Sequence, residues 1–385
     1  MNEHQTWEEA LIVIKTLRQN GITAYVVGGA VRDRLMNRMP NDMDIAAAAT
    51  TQELSAVFPY AVKPSGKFGT LLVKTGNSIV EVTPFREGAE TIEEDLQQRD
   101  FTCNAMAADA QGTVIDPFDG QKDIRDQVLR TPESAERAFF PDPLRVVRAF
   151  RFRSVLGFSL DAEVERAAEA AAEGLAYTAV ERIRDEITKL LEGQKRLSAL
   201  ENMRELRLFS CFPESVRTAS PFFHHPALVQ FPVGTKVSWA ALLYALYGRK
   251  SLEMLNGWRF SNQSQKQCRW LLERVDVAAS PEMWRQWLYY FGPKQVADLE
   301  KLKQWKYFTY RGSSCAEWKK KWEALPIRSR QDLALLPKSI ASMPAYKDSA
   351  KIGQAVAYLE QAVLNEKVEN SEQKLLAYLE EMNDE

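Results

Sequence analysis

Along the first third of the chain, apolar and polar positions alternate between a strand rhythm and a helix rhythm. The opening segment, MNEHQTWEEALIVIKTLRQNG, repeats its apolar residues at helical spacing and stops at Gly21. Ala24–Val27 is a short apolar strand broken by Gly28-Gly29, and Ala30–Met36 returns to a helical pattern. Asp42–Ala47 alternates as a strand, with Thr50 or Thr51 placed to cap the helix that follows. Leu71–Lys74 and Ile79–Thr83 read as a strand pair turning through Thr75-Gly76-Asn77. Glu93–Ala108 has a helical period.

After about Pro141 helical signals dominate. Thr178-x-x-Glu181 is a capping-box pattern opening a helix that Gly193 closes. The Pro-rich stretch 212–233 reads as a connection, amphipathic helices follow, and the chain ends in an acidic tail. The expected architecture is a small α/β head followed by a long helical body. The longest apolar run, Val237–Tyr247, is too short to cross a bilayer, and the N-terminus lacks the basic-then-apolar order of a signal peptide. Four scattered cysteines form no metal-ligand pair, which fits a reduced, cytoplasmic compartment.

A net charge of −2 excludes a polybasic nucleic-acid binder, so any attraction for RNA must be local. Two stretches qualify. Residues 145–153 read RVVRAFRFR, and residues 301–330 carry nine Lys or Arg against two Glu, interleaved with Trp305, Tyr307, Phe308, Tyr310, Trp318 and Trp322. The second stretch also fits a helical hairpin with its aromatics inward and a solvated basic face. His224 and His225 lie in a Pro/Phe-rich segment and read as loop residues rather than ligands.

The chemistry concentrates at Val27-Gly-Gly-Ala-Val-Arg-Asp33, followed nine residues later by Asp42-Met-Asp44. Strand alternation puts Asp42 and Asp44 on one face, with Met43 and Ile45 turned into the core. Two carboxylates that close repel unless a cation sits between them, and Mg²⁺ is the hard ion that suits them and also grips triphosphate oxygens. Glu81, flanked by Val80 and Val82 facing the other way, offers a third carboxylate. Gly28 and Gly29 let the backbone approach a phosphate at a helix start, with Arg32 one turn in. The implied reaction is in-line attack of a hydroxyl on an α-phosphate.

These segments resemble the nucleotidyltransferase superfamily of DNA polymerase β type, and more narrowly the bacterial class II CCA-adding and poly(A) polymerase family. The resemblance covers roughly residues 20–195 through VGGAVRD (27–33), DMDIA (42–46), GKFGT (66–70), EEDLQQRDFTCNA (93–105), IDPFDG (115–120), DPLRVVRAFRF (142–152) and ERIRDEITKLL (181–191). It implies an α+β head of the polymerase β-type fold at residues 1–140 and an all-α remainder. That remainder divides into a neck (141–200) for base recognition, a body (201–275) and a tail (276–385) that cradles the tRNA elbow. By similarity Gly29 and Arg32 contact nucleotide phosphates, Asp42 and Asp44 bind Mg²⁺, and Arg99 belongs to the active site.

Within Pro141-Asp-Pro-Leu-Arg145, Asp142 and Arg145 face the same way on a helix. In the family these positions act as a protein template. A carboxylate acceptor beside a guanidinium donor fork reads the Watson–Crick edges of cytosine and adenine and rejects uracil and guanine. Asp142 before Pro143 also suits a helix N-cap, and Pro141 departs from the acid usual in the family. Arg148 and Arg151 continue the same face, placed for phosphate. The substrates implied are CTP, with ATP as the alternative, and the 3′ end of tRNA.

Between the strand 79–85 and the helix starting near Ile92 or Glu93 lie only the six residues REGAET (86–91). Full CCA-adding relatives carry a longer segment here, a lever that re-aims the templating pair from cytosine to adenine. Its absence implies addition of CC alone, with a separate enzyme adding the terminal A. Full CCA addition is the alternative. A poly(A) polymerase is disfavoured by the acidic tail and short segment, a degenerate tRNA-binding chaperone by the intact carboxylates, and a small-molecule nucleotidyltransferase by the long helical body.

Overall fold

The computed structural model describes residues 3–383 apart from 41, 65–68, 77, 219–231, 233, 308–309, 336, 344–345 and 347. Gly66–Phe68 of the GKFGT motif, Asn77 of the expected turn, His224, His225 and Phe308 therefore lie outside the described residues. Two compact units emerge, residues 1–220 and 221–385. The expected head and neck share the first unit, and the division falls inside the segment expected as body.

In the first unit, α1 (Glu3–Gln19) sets Trp7, Ala10, Ile14 and Leu17 on one buried stripe, the spacing that makes a helix amphipathic. Strands β1 (Ala24–Val27) and β2 (Met43–Ala47) are antiparallel and flank α2 (Gly29–Leu35) in sequence. Helix α3 (Thr51–Val57) starts at Thr50, which forms a full capping box with Glu53. Strands β3 (Leu71–Thr75) and β4 (Ser78–Pro84) form the expected antiparallel pair, and β4 lies parallel to β2. With β5 (Ala107–Ala108) and β6 (Val114–Ile115) they complete a six-stranded mixed sheet of order β3-β4-β2-β1-β5-β6.

The sheet has two unlike faces. One packs Val26, Met43, Ile45, Val80 and Val82 against α1, α2 and α3. The other carries a smaller cluster, Val27, Ala46 and Ala107, covered by Ile92 and Leu96 of α4 (Ile92–Gln97). Alternation places Asp44 and Glu81 on this second face.

Two expectations need correction here. The helix expected over Glu93–Ala108 stops at Gln97 and gives way to a 3-10 turn at Thr102–Asn104 and then β5. A polar side chain captures main chain that a helix would use: Asp100 Oδ1 accepts from the Phe101 N–H at 2.9 Å, and also from the Asn104 side chain at 2.9 Å. The capping box at Thr178–Glu181 does not form either. Ala179 is the N-cap without a side-chain bond, and the Thr178 hydroxyl reaches back to the Gly174 carbonyl at 3.5 Å.

The rest of the first unit contains α5 (Gly120–Asp126), β7 (Val128–Leu129), α6 (Ala135–Phe139), α7 (Leu144–Leu156), β8 (Ser159–Leu160), α8 (Ala162–Ala171), α9 (Val180–Glu192) and α10 (Arg196–Glu205). Helices α7 and α9 lie side by side, pointing the same way: Asp142 meets Arg182, Arg148 meets Glu186, and the Ser154 hydroxyl donates to the Leu190 carbonyl at 2.6 Å. Gly193, after α9, is required there by proximity rather than by φ. A Cβ at that position would lie 2.2 Å from Ser154 Oγ.

The second unit is helical: α11 (Thr235–Tyr247), α12 (Ser251–Met254), α13 (Asn262–Arg274), α14 (Pro281–Lys306), α15 (Cys315–Glu323), α16 (Pro337–Ala341), α17 (Ser349–Leu364) and α18 (Glu372–Asn383). The apolar run noted in the sequence is α11, buried from Val237 to Leu243 without interruption. Helix α14 breaks at Gly292, ahead of Pro293. Among the described residues no helix is long and apolar enough to cross a membrane.

The expected hairpin in 301–330 is present. Trp305 and Trp318 are buried on α14 and α15, whereas Lys319, Lys320 and Lys321 are exposed. Lys303 is not part of that basic face, because it is buried with its ammonium on the Val277 carbonyl at 2.6 Å.

Candidate active site

One cleft of about 550 Å³ in the first unit gathers every residue singled out above for chemistry. Gly28, Gly29, Arg32, Asp42, Asp44, Glu81, Arg99, Asp142, Arg145, Arg148 and Arg151 all line it. Arg86, Asp100, Asn104, Arg182 and Lys189 line it as well.

The carboxylates come from the sheet. Asp44 and Glu81 are register partners on the parallel strands β2 and β4, so their side chains leave neighbouring positions on one face. Asp42 lies one residue ahead of β2 and is exposed, while Met43 and Ile45 are buried as alternation requires. Among the described residues no three His, Cys, Asp or Glu side chains close into a metal cage. An open, all-oxygen edge suits Mg²⁺, which keeps several waters and takes the rest of its shell from one or two carboxylates and substrate phosphates. The donor set fits the ion on that ground.

Beside them, β1 turns into α2 through Gly28 at φ 72° and ψ −132°. The left-handed φ favours glycine, and a Cβ would lie 2.9 Å from Arg99 Nη1. Arg32 folds back over Gly29, donating to Asn104 Oδ1 at 2.5 Å and to Asp33 Oδ1 at 2.7 and 2.9 Å. Arg99 is held by Asp95 at 2.8 and 3.1 Å, and the other oxygen of Asp95 accepts the Arg86 N–H at 3.0 Å. Asp95 is 1% exposed, so this buried carboxylate fixes both arginines from beneath.

The far wall is α7 and α9. Asp100 is 8% exposed and its Oδ2 accepts from Arg148 Nε at 2.9 Å and Nη2 at 2.5 Å. Burial opposes ionisation of Asp100, but the Arg148 charge and hydrogen bonds from Asn104 and Arg148 outweigh it and hold the carboxyl well below the usual range. Arg148 also donates to Glu186 at 3.1 Å. Glu186 faces Arg151 Nε at 3.2 Å, and Arg151 stacks on the Phe152 ring at 3.9 Å. Burial, then the neighbouring Arg148, lower Arg151 to about 10, so it stays cationic at neutral pH.

Asp142 and Arg145 both reach the cleft from the start of α7, on different anchors. Arg145 Nη2 donates to the Gln98 carbonyl at 2.7 Å, and Nη1 lies 3.5 Å from the Arg99 carbonyl and 3.4 Å from that of Ala138. Asp142 is not the N-cap its sequence suggests. Pro143 occupies that place, without a side-chain cap bond, and the Asp142 carboxylate lies 3.3 Å from Arg182 Nη2 through each oxygen.

Arg86, Arg182 and Lys189 were not expected from the sequence. Arg182 and Lys189 are exposed helix residues that read locally as a solvated face, and only the packing of α9 against α7 brings them to the cleft. Arg182 does stand in the ERIRDEITKLL segment, which was the available signal.

Residues 24–130 match a family model described as "Poly A polymerase head domain". Residues 157–216 match "Probable RNA and SrmB- binding site of polymerase A", and 234–379 match a model for tRNA nucleotidyltransferase domain 2. The chain is 32% identical to the CCA-adding enzyme of Geobacillus stearothermophilus, covering 98% of this chain and 97% of that one. It is 34% identical to the CCA-adding enzyme of Anoxybacillus flavithermus over 97% of this chain and 96% of the relative. The crystal structure of Bacillus stearothermophilus CCA-adding enzyme in complex with CTP superposes with a TM-score of 0.82 at 33% identity, covering 98% of each chain.

Proposed function

Because the chain belongs to the family of CCA-adding tRNA nucleotidyltransferases, we propose that it builds CCA on the 3′ end of tRNA from CTP and ATP without a nucleic-acid template. The observation that carries this reading is the convergence on one cleft of Asp42, Asp44 and Glu81 with the Gly28–Gly29 turn and the Asp142–Arg145 pair.

In this reading Asp42 and Asp44 hold Mg²⁺, with Glu81 beside Asp44. The bound ion supplies positive charge that acidifies the attacking 3′ hydroxyl and neutralises the departing pyrophosphate. Gly29, Arg32 and Arg99 receive the triphosphate. Asp142 accepts from the amino group of cytosine or adenine while Arg145 donates to the ring acceptors, and uracil and guanine present a carbonyl to Asp142 instead. Arg151 faces phosphate, and Arg148 braces the wall behind it through Asp100 and Glu186. We read residues 1–140 as head, 141–200 as neck, 201–275 as body and 276–385 as tail, with the body and tail on the tRNA. A tRNA-processing role implies a cytoplasmic compartment.

The expected stop at CC, with a separate A-adding enzyme, is not supported by the likenesses, because the full-length relatives are named for the whole CCA. The segment 86–91 still favours that second reading. It is short and pinned, with the Ala89 N–H on the Arg86 carbonyl at 2.9 Å and the Glu90 N–H on Glu94 at 2.7 Å.

One assay separates the two. Purified enzyme with Mg²⁺ and tRNA lacking its 3′ CCA receives CTP alone or CTP with ATP. The proposal expects two additions in the first case and three in the second. A product that halts at CC with ATP present would establish CC-only addition, and no transfer from CTP would remove the tRNA assignment.

A further inference from the structure

The two side chains assigned to read the base are held in unlike ways. Arg145 hangs on main-chain carbonyls from two segments, around Gln98 and at Ala138. Asp142 has no such anchor: its side chain caps nothing, and its carboxylate is met by Arg182 across the cleft mouth. We propose that Arg182 is a positioning residue for base selection, setting the direction in which Asp142 presents its carboxylate to the incoming nucleotide. The proposal rests on the base-reading role given above to Asp142 and Arg145.

Discrimination between cytosine and uracil at this edge depends on where one acceptor oxygen lies. The base offers an amino donor in the first case and a carbonyl acceptor in the second. A carboxylate that turns about its own bonds can move that oxygen aside and relieve the clash that rejects uracil. Arg182 restricts this freedom, and its own base is fixed. It projects from α9, which is tied to α7 by Arg148–Glu186 and by Ser154–Leu190.

The contact is also easily shared. One Arg182 nitrogen lies 3.3 Å from both carboxylate oxygens, with the two side chains 56% and 36% exposed. Exposed pairs of this kind are weak. One Asp142 oxygen can therefore accept from a base amino group while the other stays on Arg182, without the carboxylate turning.

The test compares wild type, Arg182→Ala, Arg182→Lys and Asp142→Ala on tRNA lacking its 3′ CCA. It measures kcat and KM for CTP and kcat/KM for UTP, and melting curves confirm that each variant is folded. Arg182→Ala is expected to raise KM for CTP roughly three- to tenfold with kcat little changed, and to narrow the preference for CTP over UTP about tenfold. Arg182→Lys, which keeps a cation within reach, recovers most of that preference. An ion pair serving stability alone would lower the melting temperature without touching selectivity.

Wild-type selectivity in Arg182→Ala, or equal loss in the alanine and lysine variants, would overturn the proposal. Wild-type selectivity in Asp142→Ala would instead show that the underlying base-reading assignment is at fault.

Discussion

Arg148 sits between two buried carboxylates, and replacing it with methionine isolates what that arrangement contributes. The Asp100 and Glu186 side chains are 8% and 7% exposed, so Arg148→Met leaves two charges with little access to water. Removing one partner of a buried pair typically costs about 3–5 kcal/mol. Two features reduce that here: the Arg148 side chain is 30% exposed, and Glu186 retains Arg151 at 3.2 Å. The expected loss is about 2–3 kcal/mol, which corresponds to a roughly 30- to 150-fold increase in opening of α7 and α9.

Tryptophan fluorescence would miss this change, because of the nine tryptophans all except Trp7 lie beyond residue 230. Amide hydrogen exchange on peptides spanning 144–156 and 180–192 reports it directly. The pH dependence separates charge from packing. Asp100 is held below its ordinary 3.8 in the wild type, so the stability it contributes is present above about pH 4 and fades as pH falls further. In Arg148→Met the main cause of that lowering is gone, and the gap between the two proteins should shrink below about pH 4. Less than a threefold change in protection at pH 7, or a gap that persists unchanged in acid, would refute the electrostatic account.

Asp42→Asn and Asp44→Asn should each lower incorporation of every nucleotide by roughly two to three orders of magnitude in Mg²⁺, with helical content by circular dichroism unchanged. Gly28→Ala forces a left-handed residue against Arg99, so a loss of about 1–2 kcal/mol is expected. Weaker CTP binding should accompany it, measured by calorimetry. Replacing Lys319, Lys320 and Lys321 together by Glu should weaken tRNA binding and flatten its dependence on salt, checked by filter binding from low to moderate salt. An unchanged salt slope would remove the α15 face from the RNA path.

Much of this site was legible because its chemistry is local. Met43, Asp44 and Ile45 alternate along β2 with Asp42 one residue ahead of it, and the Gly28-Gly29 break sits where a strand meets a helix. What escaped depends on contacts between distant segments. Nothing near Asp142 announces Arg182, forty residues away, and in its absence a carboxylate before a proline reads as a helix cap. Asp100 and Asn104 keep the period of a helix, yet they spend their side chains on the backbone and on Arg148 and Arg32. The residue pattern records spacing; which groups a polar side chain prefers is settled only once the chain has folded.

The ties between α7 and α9 grade from dry to wet along their length. At the far end Ser154 is fully buried against Leu190 and Gly193, at the middle Arg148 grips Glu186, and at the mouth Asp142 and Arg182 stand in solvent. The helix pair thus resembles tongs riveted at the handle, with the contact that is cheapest to remake at the tips. Under the proposed function, the contact nearest an incoming RNA end is then the one that can be lost without unseating the wall behind it.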